Sequence, residues 1–264
     1  MRMRTFSCII NLIGINLINT IFKMEVPLAL KYQEVALNLA DKIKAHEYDK
    51  KLPSEGKLME EYSVSRNTIR NALNVLYNQG LLRRIQGSGY FINHPLHNQA
   101  NIVNMANKNG LHDLEEKDAI LSEILVFETI LAGEAIGSYL KIDSKDPVYH
   151  IKRIRRRKDE LVSLEESFYR KDVVPYLTEE ICNKSISAFI KKHFQVTSKT
   201  ADEYMSLHRL NEEEAELTGK DVGSSAFMLE EINCQKNEQP YNYSKTLYFL
   251  SDLTFYSHIS NYLD

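Results

Sequence analysis

The chain has no tryptophan and only three cysteines among its 264 residues. The cysteines are Cys8, Cys182 and Cys234, which are far apart and form no Cys-x-x-Cys or Cys/His cluster. This spacing argues against a disulfide framework and a zinc site, and it fits the reducing cytoplasm. The histidines are scattered, and the sequence has no HExxH motif, no cofactor loop and no nucleophile–base pair. We therefore expect neither an enzyme nor a cofactor protein.

The chain also lacks a strong net charge, because 33 Lys and Arg face 36 Asp and Glu. This balance argues against a protein that coats nucleic acid nonspecifically. The charge is uneven, however: residues 1–100 hold 13 basic and 8 acidic residues, whereas the other 164 hold 20 and 28. A basic first part and an acidic second part are typical of a DNA-binding module with a separate regulatory domain. The length suffices for two cores.

No apolar run is long enough to be a clear membrane span. The longest, Phe6 to Phe22, follows a basic start but has only 17 residues and contains three asparagines, whereas a spanning helix needs about 20 apolar residues. It also lacks a small-residue cleavage site. Because Met24 follows at once, we expect residues 1–23 to be an over-extended start of the reading frame or a disordered apolar segment. A membrane-tethered regulator is the alternative.

The most informative segment is 52–92, which carries the pattern of a helix-turn-helix. Pro53-Ser54-Glu55 is a helix-start signal in which Ser54 caps a short helix. Ser63-Val64-Ser65 then ends that helix and caps the next. After Arg66, apolar residues recur at intervals of three and four and share one helical face: Ile69, Ala72, Leu73 and Leu76. Ahead of this motif, residues 32–46 predict a supporting first helix.

The second helix and the hairpin after it carry the DNA-binding signal. Arg66 and Arg70 are four residues apart, so they project from one side, as in a helix that enters the major groove. Beyond Gly80, residues 81–92 predict two strands around Gln86-Gly87-Ser88-Gly89, with two arginines on the first strand. A phosphate-binding glycine loop is the alternative for the tip, but the GxGxxG pattern is absent.

This segment resembles the winged helix-turn-helix of the GntR family of bacterial transcription regulators. The matching stretches are Leu52-Pro53-Ser54-Glu55, Val64 to Arg70, Gly80-Leu81-Leu82 and Gln86 to Gly89. The resemblance implies that the following residues contact DNA: Ser54, Ser65, Arg66, Asn67, Thr68, Arg70, Gln86 and Gly87. Gly56 departs from the family, which often has Arg or another polar residue there. We expect this domain over residues 24–93. Residues 94–118 are expected to be a linker, polar and broken by proline in its first part, and the entry to the second domain.

The rest of the chain, residues 119–264, predicts an α+β domain with a mainly antiparallel sheet, because strands outnumber helices and many connections are short. The expected strands are Ile120–Phe127, Pro147–Arg157, Leu161–Tyr169, Thr200–Leu210, Ala226–Cys234 and Tyr241–Leu250. The expected helices are Ala132–Leu140, Ser185–Phe194 and Asn211–Thr218.

Three arginines in one of these strands suggest a binding site. Arg153, Arg155 and Arg157 alternate and therefore point to one face, where Glu165 of the partner strand is a plausible inward carboxylate. Such a cluster would suit a polyhydroxylated, negatively charged small molecule. The alternative is a solvated edge strand protected by its charges.

The same region resembles the UTRA effector domain of the HutC-type branch of GntR regulators. The similarity lies in the segment Arg153 to Phe168, the closing strand Pro240 to Ser244 and the helix 211–217. It implies a chorismate-lyase-like fold, a homodimer and a small effector, and the implied effector-binding residues are Arg153, Arg155, Glu165, Ser185, Tyr243 and Tyr248. Asn242 and Ser187 replace a Glu and a Tyr of the family. The family's phosphate-cradling helix start is expected near Gly110 to Asp113.

These features together predict a ligand-responsive repressor of the cytoplasm. Two DNA-binding heads would bind a palindromic operator, and a small anionic effector would release them. The resemblance implies a sugar phosphate as the favoured effector. No membrane partner is expected. Two alternatives remain open: an enzyme, since the body's fold is related to a lyase, and a DNA-binding protein without a ligand.

Overall fold

The computed structural model describes residues 30–93, 102–104, 120–251 and 253–257, and these form two compact units. The first unit holds residues 30–93 and the second holds the rest. Residues 1–23 and the expected helix start at 110–113 lie outside the described residues. The domain limits 24–93, 94–118 and 119–264 also extend into such residues and stay predictions.

The first unit has three helices and a hairpin. The helices are α1 (Lys31–Lys44), α2 (Glu55–Tyr62) and α3 (Arg66–Asn78), and the antiparallel hairpin pairs β1 (Leu82–Ile85) with β2 (Gly89–Ile92). The apolar residues spaced three and four apart on α3 are all buried, as the pattern predicts. They form one core with residues of the other elements: Val35, Ala36, Leu39, Leu52, Leu58, Leu82 and Ile92.

Hydroxyl caps set the boundaries of the two central helices. Ser54 accepts a hydrogen bond from the Lys57 amide, and Ser65 accepts one from the Thr68 amide, so each satisfies a free amide of the first helical turn. Between the helices, Ser63 takes the left-handed conformation with φ 51° and turns the chain. The predicted helix-turn-helix is therefore confirmed, including Ser54 and Ser65 as the caps of its two helices.

The second unit is built on a six-stranded antiparallel sheet with strand order β4-β5-β6-β9-β8-β7. The strands are β4 (Ile120–Leu131), β5 (Pro147–Arg157), β6 (Glu160–Arg170), β7 (Thr200–Arg209), β8 (Ser225–Cys234) and β9 (Pro240–Tyr248). The expected α+β class with a mainly antiparallel sheet is confirmed. Strand β4 continues four residues beyond its predicted end at Phe127.

Helices cover both faces of this sheet. One face, here the α6 face, packs against α5 (Glu179–Cys182) and α6 (Ile186–Phe194) through Tyr149, Ile151 and Tyr169. The other, here the α4 face, packs against α4 (Gly133–Leu140) and α7 (Glu212–Thr218). The sequence did not predict the short α5.

Two further short strands, β3 (Ile102–Asn104) and β10 (Thr254–Tyr256), form a separate parallel pair. The sequence predicted neither strand. Within the described ranges, no helix is both long and apolar enough to cross a membrane.

Candidate functional site

The start of α3 presents an exposed polar surface. Ser65, Arg66 and Asn67 are exposed and Thr68 is half-buried. The Ser65 hydroxyl lies 2.9 Å from that of Thr68 and accepts the Thr68 amide at 3.2 Å. The Ser65 hydroxyl therefore caps the helix, whereas Arg66 and Asn67 extend from its first turn. A helix start of this kind suits an anionic partner because its amides carry partial positive charge.

Arg70 is held in place by a residue of the neighbouring helix. Its Nε donates to both carboxylate oxygens of Glu55 at 3.1 and 3.2 Å, and the Arg70 side chain is still 55% exposed. Glu55 belongs to the Pro-Ser-Glu motif, which in the sequence indicates only the start of a helix. Because the two residues are 15 positions apart, no local pattern indicates this pairing.

The hairpin forms a wing with a glycine tip. Gly87 and Gly89 have φ values of 73° and 100°, a conformation that side chains with a Cβ rarely adopt. Gln86 and Gly87 are exposed, and the guanidinium of Arg84 lies 6.0 Å from the ring centre of Tyr90. The wing therefore presents a cation and an exposed glycine turn on a two-stranded hairpin.

In the second unit, the centre of the α6 face holds a buried cluster of three charges. Arg153 Nη2 lies 2.9 Å and Arg155 Nη2 lies 3.4 Å from Oε2 of Glu165, and all three residues are less than 8% exposed. Burial acts to raise the pKa of Glu165, but the two guanidinium charges outweigh it and hold this pKa below its usual value. Glu165 is thus the inward carboxylate that the alternation predicted.

Arg153 also joins the sheet to the turn between α5 and α6. Its Nη1 donates to the carbonyl oxygens of Cys182 at 2.7 Å and Lys184 at 3.1 Å, while Nε and Nη2 donate to Glu165. Every nitrogen of this guanidinium is therefore bound to a protein acceptor. The turn brings Ser185 near the cluster, where its hydroxyl caps α6 and lies 3.2 Å from that of Ser187.

Tyr248 lies in the same row of the sheet as Arg155. In register, Ser163 of β6 stands opposite both Arg155 of β5 and Tyr248 of β9. Tyr248 is 7% exposed, and its burial, reinforced by the carboxylate of Glu231, raises its pKa. Ser163 is buried as well. Ser163 is not among the residues predicted for the site, although its period-two spacing from Glu165 places it on the same face.

Two of the singled-out residues lie apart from this cluster. Tyr243 is on the α4 face, where its ring stacks on Tyr139 at 4.2 Å and its hydroxyl donates to Glu230. Tyr243 precedes Tyr248 in β9 by an odd number of positions. Because side chains alternate along a strand, the two tyrosines point to opposite faces of the sheet. Arg157 pairs with Glu160 at the end of the hairpin. The structure therefore brings together five of the six expected effector-binding residues.

Comparison with known proteins covers both units. The family model described as bacterial regulatory proteins, gntR family, matches residues 31–92, and the UTRA domain model matches residues 115–252. The Bacillus subtilis protein "Uncharacterized HTH-type transcriptional regulator YydK" is 29% identical over 237 residues, 89% of this chain and 99% of its own. Its crystal structure superposes with a TM-score of 0.71 and covers 88% of this chain and 100% of that one.

Two further relatives are named as repressors. The Escherichia coli "Mannosyl-D-glycerate transport/metabolism system repressor MngR" is 35% identical over 141 residues, 53% of this chain and 58% of its own. The Bacillus subtilis "HTH-type transcriptional repressor NagR" is 25% identical over 231 residues, 85% of this chain and 92% of its own. These names describe transcription regulators, not enzymes.

Proposed function

This chain belongs to the GntR family of bacterial regulatory proteins and carries a UTRA domain, and from that membership we propose a repressor that a sugar phosphate releases from DNA. It is a transcription regulator whose first unit binds DNA and whose second unit binds a small effector. We further propose that it works in the cytoplasm as a homodimer on a palindromic operator. A two-fold dimer matches a palindrome because each head then reads an equivalent half-site.

The DNA-binding part rests on the exposed start of α3. Arg66 and Asn67 extend from its first turn, and the ion pair with Glu55 orients Arg70 one turn later. We propose that Arg66, Asn67 and Arg70 contact base edges and phosphates in the major groove. The wing, with Gln86 and Gly87 at its tip, is proposed to contact the backbone beside it. Ser54, Ser65 and Thr68 would add phosphate contacts from the helix starts.

The effector part rests on the charged cluster of the α6 face. Arg155 is the arginine that we propose contacts the anion directly, because every nitrogen of Arg153 already donates to the protein. Arg153 would hold Glu165 and the start of α6 in place beside it. Ser185 and the amides of that helix start suit a phosphate, while Glu165 and Tyr248 suit sugar hydroxyls.

Effector release needs two states of the dimer with different DNA affinity. An effector that binds one state more tightly shifts the population toward it. A shift from 1:99 to 99:1 requires about a 10⁴-fold difference in effector affinity between the states. We propose that the effector-bound state sets the two heads at a separation that no longer fits the operator.

Binding to DNA is tested with two asparagines of the same helix. Asn67→Ala removes a proposed base contact at the start of α3, whereas Asn78→Ala removes an exposed asparagine at its other end, about 16 Å away at 1.5 Å per residue. With a duplex selected from a random pool by the wild-type protein, Asn67→Ala should weaken binding about 5- to 150-fold, the equivalent of 1–3 kcal/mol. Equal affinities for both variants would contradict the recognition-helix assignment.

Effector binding is tested with two tyrosines of the same strand. Thermal-shift measurements against a panel of phosphorylated sugars identify a ligand, which at 100 times its dissociation constant adds about 2.7 kcal/mol of stability. Tyr248→Phe should then weaken that ligand, whereas Tyr243→Phe, on the opposite face, should not. A loss confined to Tyr243→Phe would move the site to the α4 face. Turnover of the sugar phosphate would support an enzyme instead.

A further inference from the structure

The short strand β10 lies against the row of the sheet that contains Tyr248. The ring of Phe255 stacks on Phe227 with centres 4.4 Å apart, and it meets Tyr248 edge-on at 5.4 Å. Phe227 and Tyr248 stand opposite each other in neighbouring strands. Phe255 therefore packs against both members of one cross-strand pair.

The same residue belongs to the pair of strands that includes β3. In parallel register, Phe255 stands opposite Val103, between the pairs Thr254–Ile102 and Tyr256–Asn104. Among the described strands, β3 and β10 pair only with each other. Two strands of three residues are marginal on their own, so this pair depends on packing against the rest of the unit. The Phe255 ring supplies such packing.

Residues 102–104 follow the first unit along the chain and precede the large sheet. The β3–β10 pair therefore includes a part of the chain that lies, in sequence, between the DNA-binding unit and the large sheet. An element of low local stability opens more easily than a core strand. The β3–β10 pair is such an element, and its packing includes the site residue Tyr248. Tyr248, Phe255 and β3 form a continuous path of this kind.

We propose that Phe255 is a positioning residue that couples Tyr248 of the effector site to the connecting segment at 102–104. In the absence of effector, its ring holds β10 and β3 against the sheet. An effector that moves Tyr248 changes this contact and, through it, the hold on residues 102–104. The assignment rests on the effector function proposed above, but its structural part can be measured without any effector.

The ligand-free measurement is amide hydrogen exchange of the full chain. Phe255→Ala should accelerate exchange at residues 102–104 about tenfold, because it removes the ring contacts with Phe227 and Tyr248 that pack β10 against the sheet. Phe255→Tyr keeps the ring and should restore protection. The matched control is Phe249→Ala, because Phe249 packs on the opposite face with the cluster of Leu247. Equal exchange at 102–104 in Phe255→Ala and Phe249→Ala would overturn the proposal.

The coupling itself is measured with glucose 6-phosphate as the probe and a duplex selected by the wild-type protein. In Phe255→Ala, the affinity for the probe measured by calorimetry should no longer depend on whether the duplex is present, and the probe should no longer change DNA affinity or exchange at 102–104. A normal DNA response in this variant would refute the coupling. If wild type binds neither this probe nor other sugar phosphates, the proposed effector class fails, while the exchange comparison still decides the role of Phe255.

Discussion

Replacing Glu165 should destabilise the effector unit far more than replacing an exposed carboxylate of the same hairpin. Glu165→Gln removes the negative charge between Arg153 and Arg155 and leaves two buried cations facing each other. Removing one partner of a buried ion pair costs about 3–5 kcal/mol. Glutamine still accepts one hydrogen bond from Arg153, so we expect about 3 kcal/mol, which is about 6–12 °C in the melting temperature of a unit of this size.

Scanning calorimetry at pH 7 measures this change, with Glu160→Gln as the control. Glu160 pairs with Arg157, but its side chain is 50% exposed, so its loss should cost less than about 1 kcal/mol. If both variants lower the melting temperature equally, the charged cluster does not stabilise the unit in the way its geometry indicates.

The pH dependence gives the same prediction an independent check. The arginines lower the folded-state pKa of Glu165 below its ordinary value of 4.5, so its ionised form favours folding. This stabilisation is fully present above pH 4.5 and is lost as the pH falls through the lowered pKa. The gap between wild type and Glu165→Gln should therefore be largest near neutrality and narrow in acid. A gap that grows below pH 4.5 would show that Glu165 is not held ionised.

Three further predictions concern other parts of the molecule. Ser65→Ala should lower the stability of the first unit by about 1 kcal/mol, because it removes the cap of α3. Ser63→Gly should raise the stability, because glycine adopts φ 51° without strain. Urea unfolding measures both changes. His150 is hydrogen-bonded to Glu166 and Glu128, and both carboxylates raise its pKa. The protonated imidazole therefore stabilises the fold at low pH, and this stabilisation is lost as the pH rises through the raised pKa. His150→Gln should accordingly lower the free energy of unfolding more at pH 6 than at pH 9. Arg84→Ala should reduce the salt dependence of DNA affinity by about 0.9 in the log–log slope if the wing contacts one phosphate.

The elements with a clear local pattern were predictable from the sequence. The limits of β5 agree with the prediction to the residue, and α6 and α7 each start one residue after the predicted position, because Ser185 and Asn211 are caps outside the helix. Hydroxyl and amide caps are read from the sequence because their effect is confined to one helical turn. The period-two pattern of β5 and β6 likewise places Arg153 and Glu165 on one face.

The elements that the sequence did not predict are those that tertiary contacts define. Helix α5 has four residues, and its Cys182 carbonyl receives a hydrogen bond from Arg153, 29 positions earlier. Strands β3 and β10 have three residues each and pair over about 150 positions. Nothing local distinguishes such segments from loops. The Glu55–Arg70 pair was hidden for the same reason, since it joins two separate helices.

The departure at Asn242 shows how a site can change while the sheet around it is preserved. This residue stands where the family's closing motif has a Glu, and it is buried in the structure. Its amide nitrogen donates to the carbonyl oxygens of Phe168 and Tyr243, and its amide oxygen accepts from Asn233. A carboxylate could accept from Asn233 but could not donate to either carbonyl, so a Glu here would bury a charge facing two acceptors. In this chain Asn242 therefore bonds neighbouring strands to each other, which agrees with the proposal that Glu165 and Tyr248, on the same face, contact the hydroxyl groups of an effector.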